Sequence, residues 1–220
     1  MPPKTWLVVC RVSDEFKLWQ AAAIRAQFYR RDTRGWGFAC LTDQPQEDWH
    51  IPLVSDLPGW WAIQETFIGT GPHILTGLDS IIMGDISPLL ELAERCDGKT
   101  LYGIRDFYHP HLWASGVTAW NGDWRELFEK TTPGRMNQFR GNQEFTRWHV
   151  KENMPDRRLA FLNNEIDGIL SYKRDLRGQC DKEKKLAGCR VCCFHGQPRP
   201  WAVRDSEPWL EPYLSLRATK

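Results

Sequence analysis

Two short strings hold most of the residues able to do chemistry. In the first, Thr76-Gly77-Leu78-Asp79-Ser80 interrupts an apolar run that resumes as Ile81-Ile82-Met83 and ends at Gly84-Asp85. A carboxylate at a strand end can hold a divalent cation, which in turn binds a diphosphate. It can also accept backbone hydrogen bonds in a turn, and for Asp79 taken alone the turn is the better reading. Asp85, beside a glycine and a helix start, reads as structural. The second string is Phe194-His195-Gly196-Gln197-Pro198-Arg199-Pro200-Trp201. A neutral imidazole is a ligand for Mn or Zn. Glycine lets the backbone approach a phosphate, and the arginine three residues later neutralises it. A lone histidine after a strand is more often structural, so the weight rests on the whole string.

The elements that must position these strings alternate between strand and helix. Trp6 to Val12 is a nearly continuous apolar run, as in a strand covered on both faces. Ser13-Asp14-Glu15 offers N-cap chemistry to a helix over Phe16 to Tyr29. Gly37 to Leu41 reads as the next strand, 44–59 as a loop and Trp60 to Phe67 as a short helix. Strand pieces at Ile74 to Thr76 and Ile81 to Met83 precede a helix opened by Ser87-Pro88. Leu101 to Ile104 and Gly116 to Trp120 are further strands, and Asp123 caps a helix through Lys130. A loop over 131–141, a helix over Gln143 to Val150 and strands at Asp167 to Tyr172 and Val191 to Phe194 complete the pattern. Residues 202–220 read as a polar tail. The fold class expected is α/β, one domain with a mainly parallel sheet.

Composition narrows the function classes. The 220 residues carry 29 Lys and Arg against 28 Asp and Glu, a net charge of +1. Such a chain has no global field to draw it to nucleic acid or an anionic membrane. Hydrophobic residues at 41% and aromatic residues at 12% exclude a disordered chain. No stretch approaches the roughly 20 apolar residues of a bilayer span. Met1-Pro2-Pro3-Lys4 lacks a signal-peptide layout, so a cytoplasmic protein is expected. Seven cysteines, an odd count with several in apolar runs, fit reduced thiols. Cys189-x-x-Cys192 has zinc-arm spacing, but the other pair would be the irregular Cys180 and Cys193. Adjacent strand residues such as Cys192 and Cys193 point to opposite faces, which argues against a zinc-stapled nucleic-acid module. Most of the 12 tryptophans are expected in the core. Trp60-Trp61, after Pro58-Gly59, can line a site, and Trp61 with Phe67 across a short helix fits packing. His109 and His111, flanking Pro110, read as an ordinary polar loop.

The two chemical strings together resemble the metal-dependent glycosyltransferases of the GT-A fold. The resemblance is to glycosyltransferase family 8, which includes glycogenin and the bacterial galactosyltransferases, and to its phage and bacterial relatives. That family ends a strand with Asp-x-Asp, followed by an apolar run and Gly-Asp; the matching stretch is Gly77-Leu78-Asp79 through Gly84-Asp85. Near its C-terminus the family has His, then Gly-x-x-Lys-Pro-Trp, matched by Gly196 to Trp201 with Arg199 in place of Lys. Ser115-Gly116-Val117 resembles the family's small-residue strand that faces the donor sugar. Asn142-Gln143 stands where the family has Asp-Gln opening a helix. Ser171-Tyr172-Lys173-Arg174 is similar to a string of the phage and bacterial members. Order and spacing agree from about residue 5 to 201. Three positions depart: Gly77 replaces the first Asp, Asn142 replaces an Asp, and His195 directly precedes its glycine.

The resemblance implies a single glycosyltransferase-like domain over 1–220 that binds a nucleotide-diphospho-sugar, UDP-linked in most members. Mn2+ or Mg2+ would rest on Asp79 and His195. Ser13 and Asp14 would hold the base and ribose, and Ser115 and Gly116 would face the sugar. Lys173, Gly196 and Arg199 would meet the diphosphate. Asn142 and Gln143 fall at the family's catalytic pair, and the family members that this chain resembles retain anomeric configuration. The acceptor is open, and nucleic acid enters only as a modified base. The alternative is a GT-A-like protein that binds sugar nucleotide or glycan without transfer, motivated by the lost charges at Gly77 and Asn142.

Overall fold

The computed structural model describes residues 4–215; the Met1-Pro2-Pro3 start and the end of the expected tail, 216–220, lie outside the described residues. β1 (Thr5–Cys10) is apolar on both faces. Trp6, Val8 and Cys10 join one apolar layer, while Leu7 and Val9 join the other. A strand of this kind belongs inside a sheet covered on both sides. The other strands of the sheet are β2 (Gly37–Thr42), β3 (His50–Pro52), β4 (His73–Thr76), β6 (Thr100–Arg105), β7 (Trp113–Trp120) and β8 (Arg158–Phe161). Their order is β3-β2-β1-β4-β7-β6-β8. β7 runs antiparallel to both its neighbours, and the remaining pairs are parallel.

The helices are α1 (Leu18–Tyr29), α2 (Ser87–Arg95), the single turns α3 (Glu126–Glu129) and α4 (Pro133–Met136), α5 (Asn142–Asn153), α6 (Lys182–Ala187) and α7 (Glu211–Leu214). Ala21, Ile24 and Phe28 of α1 and Leu89, Leu90 and Ala93 of α2 cover the face that carries Trp6 and Val8. On the opposite face, Val150 of α5 and Phe67 of a 3-10 segment (Gly59–Ile68) pack with Leu7, Leu75, Trp120 and Trp124. The result is a single α/β domain with a mixed, mostly parallel sheet between helices.

A second, three-stranded sheet builds the edge that matters for function. β10 (Val191–Cys193) lies between β5 (Ser80–Ile82), to which it is antiparallel, and β9 (Ile169–Ser171), to which it is parallel. A π-helical turn (Tyr172–Leu176) follows β9. The segment read as a polar tail is packed through residue 214. Leu210 is fully buried, and Gln27 of α1 donates to the Tyr213 carbonyl at 3.1 Å. Glu207 anchors this segment by accepting from Tyr172 Oη at 2.9 Å, Trp209 Nε1 at 2.7 Å and the Lys182 ammonium.

Several boundaries differ from the sequence reading, for local reasons. Helix α1 starts at Leu18 because the Ser13 hydroxyl accepts from Phe16 N–H at 3.1 Å instead of capping a helix. Gln20 performs the cap, reaching back to Lys17 N–H and donating to the Glu15 carbonyl at 3.1 Å. β8 went unread because its flank, Asp156-Arg157-Arg158, is charged; it is an edge strand with one partner. The expected loops 44–59 and 131–141 contain β3 and α4. All seven cysteines are free thiols; Cys192 and Cys193 pack into different apolar clusters, and Cys180 is exposed. No helix among the described residues is long and apolar enough to cross a membrane.

Candidate functional site

The C-terminal ends of β1 and β4 lie side by side and both give way to loops there. The Trp6 indole N–H donates to Thr76 Oγ1 at 3.0 Å in the buried interior, fixing the two strands just before Gly77. Beyond them opens a cleft of about 420 Å³ lined by Val12, Ser13, Glu15, Trp60, Asp79 and Ser115, among others. Apolar walls with a few convergent polar groups are the usual build of a small-molecule site. The loop that carries Trp60 is held from below: Glu65 accepts from Val54 N–H at 2.7 Å and Ser55 N–H at 3.1 Å. Arg11 donates to the Leu57 carbonyl at 2.5 Å.

Asp79 is the hub of one wall. Pairing of β5 with β10 brings the 194–199 loop against it, and Phe194 N–H donates to the Asp79 carbonyl at 3.0 Å. Asp79 Oδ2 accepts from Gly196 N–H at 3.2 Å and forms an ion pair with Arg199 Nη1. Arg199 Nε donates to Glu15 Oε1 at 2.7 Å, and Gln197 donates to the same oxygen at 2.8 Å. The guanidinium is 4.9 Å from the Phe16 ring centroid, and the Arg199 side chain is 8% exposed. The hydrogen bond from Arg199 holds the Glu15 carboxyl below its ordinary value. Gly196 has φ +94°, a region that favours glycine. At Gly77 a Cβ would stand 2.8 Å from Asp79 Oδ1, so a side chain there would displace the carboxylate.

His195 faces the other way around the same loop. Its φ of +36° is in the left-handed region that non-glycine residues seldom adopt. Nε2 is 2.5 Å from Ser171 Oγ, and the ring stacks on Phe107 at 4.9 Å. Burial, and next the Lys173 ammonium, lower the imidazole below its ordinary value, so the ring is neutral at pH 7. Lys173 Nζ donates to the His195 carbonyl at 3.1 Å. The Arg174 guanidinium lies 5.6 Å from the Tyr108 ring centroid. Neither Lys173 nor Arg174 has an ion-pair partner among the described residues, and Asp106 acts on His195 from the facing loop.

A second cleft of about 520 Å³ lies beside the first, and Trp60 and Ile63 line both. Asn142 and Gln143, at the start of α5, line it with Asp106, His109 and Arg147. Gln64 ties the two walls together, donating to Thr146 Oγ1 at 3.0 Å and to the Asn142 carbonyl at 3.3 Å. A further cleft of about 390 Å³ by α3, lined by Asp123, Glu126 and Arg157 among others, contains none of the residues singled out for chemistry.

No family model matches the chain, and no curated protein matches it in sequence. Solved structures do match. The glycosyltransferase GlyE of Streptococcus pneumoniae TIGR4 aligns with 97% of this chain and 61% of its own, at 13% identity and a TM-score of 0.67. The galactosyltransferase LgtC, in complex with donor and acceptor sugar analogs, aligns with 98% of this chain and 97% of its own, at 11% identity and a TM-score of 0.62. A glycosyltransferase involved in glycosylation of the major capsid of PBCV-1 aligns with 94% of this chain and 100% of its own, at 14% identity and a TM-score of 0.57. The chain has the GT-A glycosyltransferase fold. It spans about three-fifths of the length of GlyE.

Set on the GT-A fold, the residues singled out by sequence fall into two groups. Ser13, Asp79 and Ser115 line the first cleft, with Lys173, His195, Gly196 and Arg199 gathered around Asp79. Asn142 and Gln143 line the second. Asp14 is exposed and outside the cleft lining, and its neighbour Glu15 takes the inward place. Gly116 is a packing residue: a Cβ there would lie 3.0 Å from Ile104 Cδ1, and its carbonyl accepts from Gly77 N–H at 3.2 Å. Trp60 lines both clefts, whereas Trp61 packs on Phe145 and Phe67 on Trp120, so Trp61 and Phe67 sit in separate clusters. His109 lines the second cleft. Glu15 was missed as a site residue, because a lone acid before a helix reads as a cap.

The GT-A resemblance implies a divalent cation on Asp79 and His195. A hard cation takes six or more ligands, several of them oxygens. Here one carboxylate oxygen of Asp79 already accepts from Arg199 and Gly196, and Gly77 brings no second carboxylate. Among the described residues no group of three or more His, Cys, Asp or Glu is placed to hold a metal. This donor set does not fit a resident divalent cation.

Proposed function

We propose that the protein is a glycosyltransferase that moves a sugar, a hexose by this reading, from a nucleoside-diphosphate sugar to an acceptor hydroxyl. The observation that carries the reading is the convergence of Asp79, Lys173, Gly196 and Arg199 beside a 420 Å³ cleft at the C-terminal ends of β1 and β4. Open α/β sheets bind nucleotides at that edge. Val12, Ser13 and Trp60 would take the base and ribose, and Ser115 would face the sugar. The second cleft, with Asn142 and Gln143, would take the acceptor.

In the transfer, the bond from the anomeric carbon to the diphosphate oxygen breaks and its electron pair leaves with the diphosphate. The acceptor oxygen bonds to that carbon. Its proton passes to the departing phosphate oxygen, a base that the reaction itself generates. Lys173 and Arg199 stabilise the charge that grows on the diphosphate, the stage at which fixed cations act most strongly.

Thermal melting with UDP, GDP, ADP, CMP and dTDP tests the reading. A ligand at 100 times its dissociation constant adds about 2.7 kcal/mol, a rise of roughly 5–10 °C for a chain of this length. The expected result is a rise with one base, UDP first, followed by release of that diphosphate from its sugar conjugate when acceptors are supplied. A flat response to every nucleotide would remove the donor site and the reading with it.

A further inference from the structure

A divalent ion in a diphosphate site does two things. It neutralises the protein carboxylate that would repel the phosphates, and it presents positive charge to their oxygens. Resting on the reading of the first cleft as a nucleoside-diphosphate site, we infer that this site takes the diphosphate without a divalent cation. Arg199 performs the first task and Lys173 the second.

The geometry around Asp79 carries the argument. Arg199 is buried and joins the two acids of the site, with Nη1 on Asp79 and Nε on Glu15. A guanidinium is always charged and has five N–H donors. These two contacts use two of them, which leaves three with no hydrogen-bond partner among the described residues. Lys173 donates to the His195 carbonyl of the same loop and has no carboxylate partner among the described residues. Its ammonium is 3.5 Å from the point where a side chain on Gly196 would begin. A phosphate approaching the bare backbone of Gly196 therefore meets that ammonium.

The charge sum points the same way. Asp79 and Glu15 against Arg199 and Lys173 sum to zero, and Arg174 and Asp106, which meet at the Tyr108 loop beside His195, cancel each other before any ligand arrives. A site that waits for a divalent cation carries an excess of carboxylate, and this one carries none. Nor is there room for a second acid, since a side chain at Gly77 collides with Asp79 as long as Arg199 holds that carboxylate in place.

Calorimetric titration of UDP, GDP, ADP, CMP and dTDP into the metal-stripped full chain, in EDTA and in excess Mn2+, tests the inference. The nucleotide that binds is expected to bind in EDTA with a dissociation constant within about threefold of its value in Mn2+. Binding at least about tenfold weaker in EDTA overturns the inference and leaves the nucleotide reading standing. Failure of every nucleotide in both buffers overturns the nucleotide reading, and the inference falls with it.

Free Mn2+ followed by electron paramagnetic resonance gives a second readout that needs no nucleotide. The wild-type chain is expected to leave the signal of stoichiometric Mn2+ unchanged, and depletion of that signal overturns the inference. Arg199→Ala frees Asp79 and is expected to weaken nucleotide binding in EDTA about tenfold, with partial recovery in Mn2+. Should Arg199→Ala fail to fold by circular dichroism, Arg199→Lys keeps the charge. It is expected to retain most of the binding in EDTA, and a loss of all of it overturns the role given to the cation.

Discussion

Two hydrogen-bonded carboxylates of this molecule, Glu207 buried and Asp79 half-buried, sit in similar chemistry and serve different ends. Glu207 accepts from a tyrosine hydroxyl, an indole N–H and a lysine, and its residue is 6% exposed. Asp79 accepts from a backbone N–H and an arginine, and its side chain is 15% exposed. Around Glu207 the donors converge on the acid, and Tyr172, one of them, stacks on Phe194 at 4.4 Å. Around Asp79 the cation keeps donors in hand, beside a cleft that both its acidic partners line. The contrast teaches how to tell a latch from a site. An ion pair is structural where donors from packed side chains enclose its acid, and it is poised for a ligand where its acid lines a cleft and its cation keeps unused donors.

The largest effect is expected from breaking the latch. Glu207→Ala leaves the lysine and the tyrosine hydroxyl without their acceptor and should lower unfolding free energy by about 3 kcal/mol, a fall of roughly 6–12 °C in melting temperature. A loss below about 1 kcal/mol in a denaturant titration would erase the distinction between the two acids.

Acid sensitivity sharpens it next. Burial tends to raise the Glu207 carboxyl, but the bonds from Lys182, Tyr172 and Trp209 outweigh it and hold it below its ordinary 4.5. The hydrogen bond from Arg199 lowers Glu15 in the same direction. Unfolded carboxylates therefore take up protons first. The stability from both groups is complete above the unfolded value and is lost as pH falls through the folded ones. Denaturant titrations between about pH 7 and pH 3 should show Glu207→Gln removing more of this fall than Glu15→Gln, because Glu15 is 38% exposed and screened. Equal effects would contradict the comparison.

Asp79→Asn should cost stability only about 1 kcal/mol, since water from the cleft can replace the lost charge partner. Its larger effect belongs to nucleotide titrations. The smallest stability change is expected for Trp60→Ala, within about 0.5 kcal/mol, because the residue is 62% exposed. That variant should still weaken ligand binding, and an unaltered titration would remove Trp60 from the wall shared by the two clefts.

The strands that run through the middle of the sheet were legible because burial on both faces leaves a continuous apolar run, as in Trp6 to Cys10. The edge strand β8 left no such run, since one neighbour and a charged flank hide its pattern. Within the site, Asp79 and His195 to Trp201 were visible as strings because their spacing is local. Glu15 was not, because its meaning comes from Arg199, 184 residues away, and no local pattern carries that distance. Asp14 and Glu15 differ in sequence by one methylene, and the direction each one points depends on the Ser13 turn.

The interior position of β1 has a kinetic consequence. Its two neighbours are supplied by residues 37–42 and 73–76, so the β3-β2-β1-β4 half of the sheet can register once about the first third of the chain is available. The Asp79–Arg199 pair spans 120 residues and needs β10 in place first. Long loops close more slowly than short ones. On refolding, the sheet should therefore recover its circular dichroism before the cleft recovers any affinity for nucleotide, and ligand binding would time the last step of assembly.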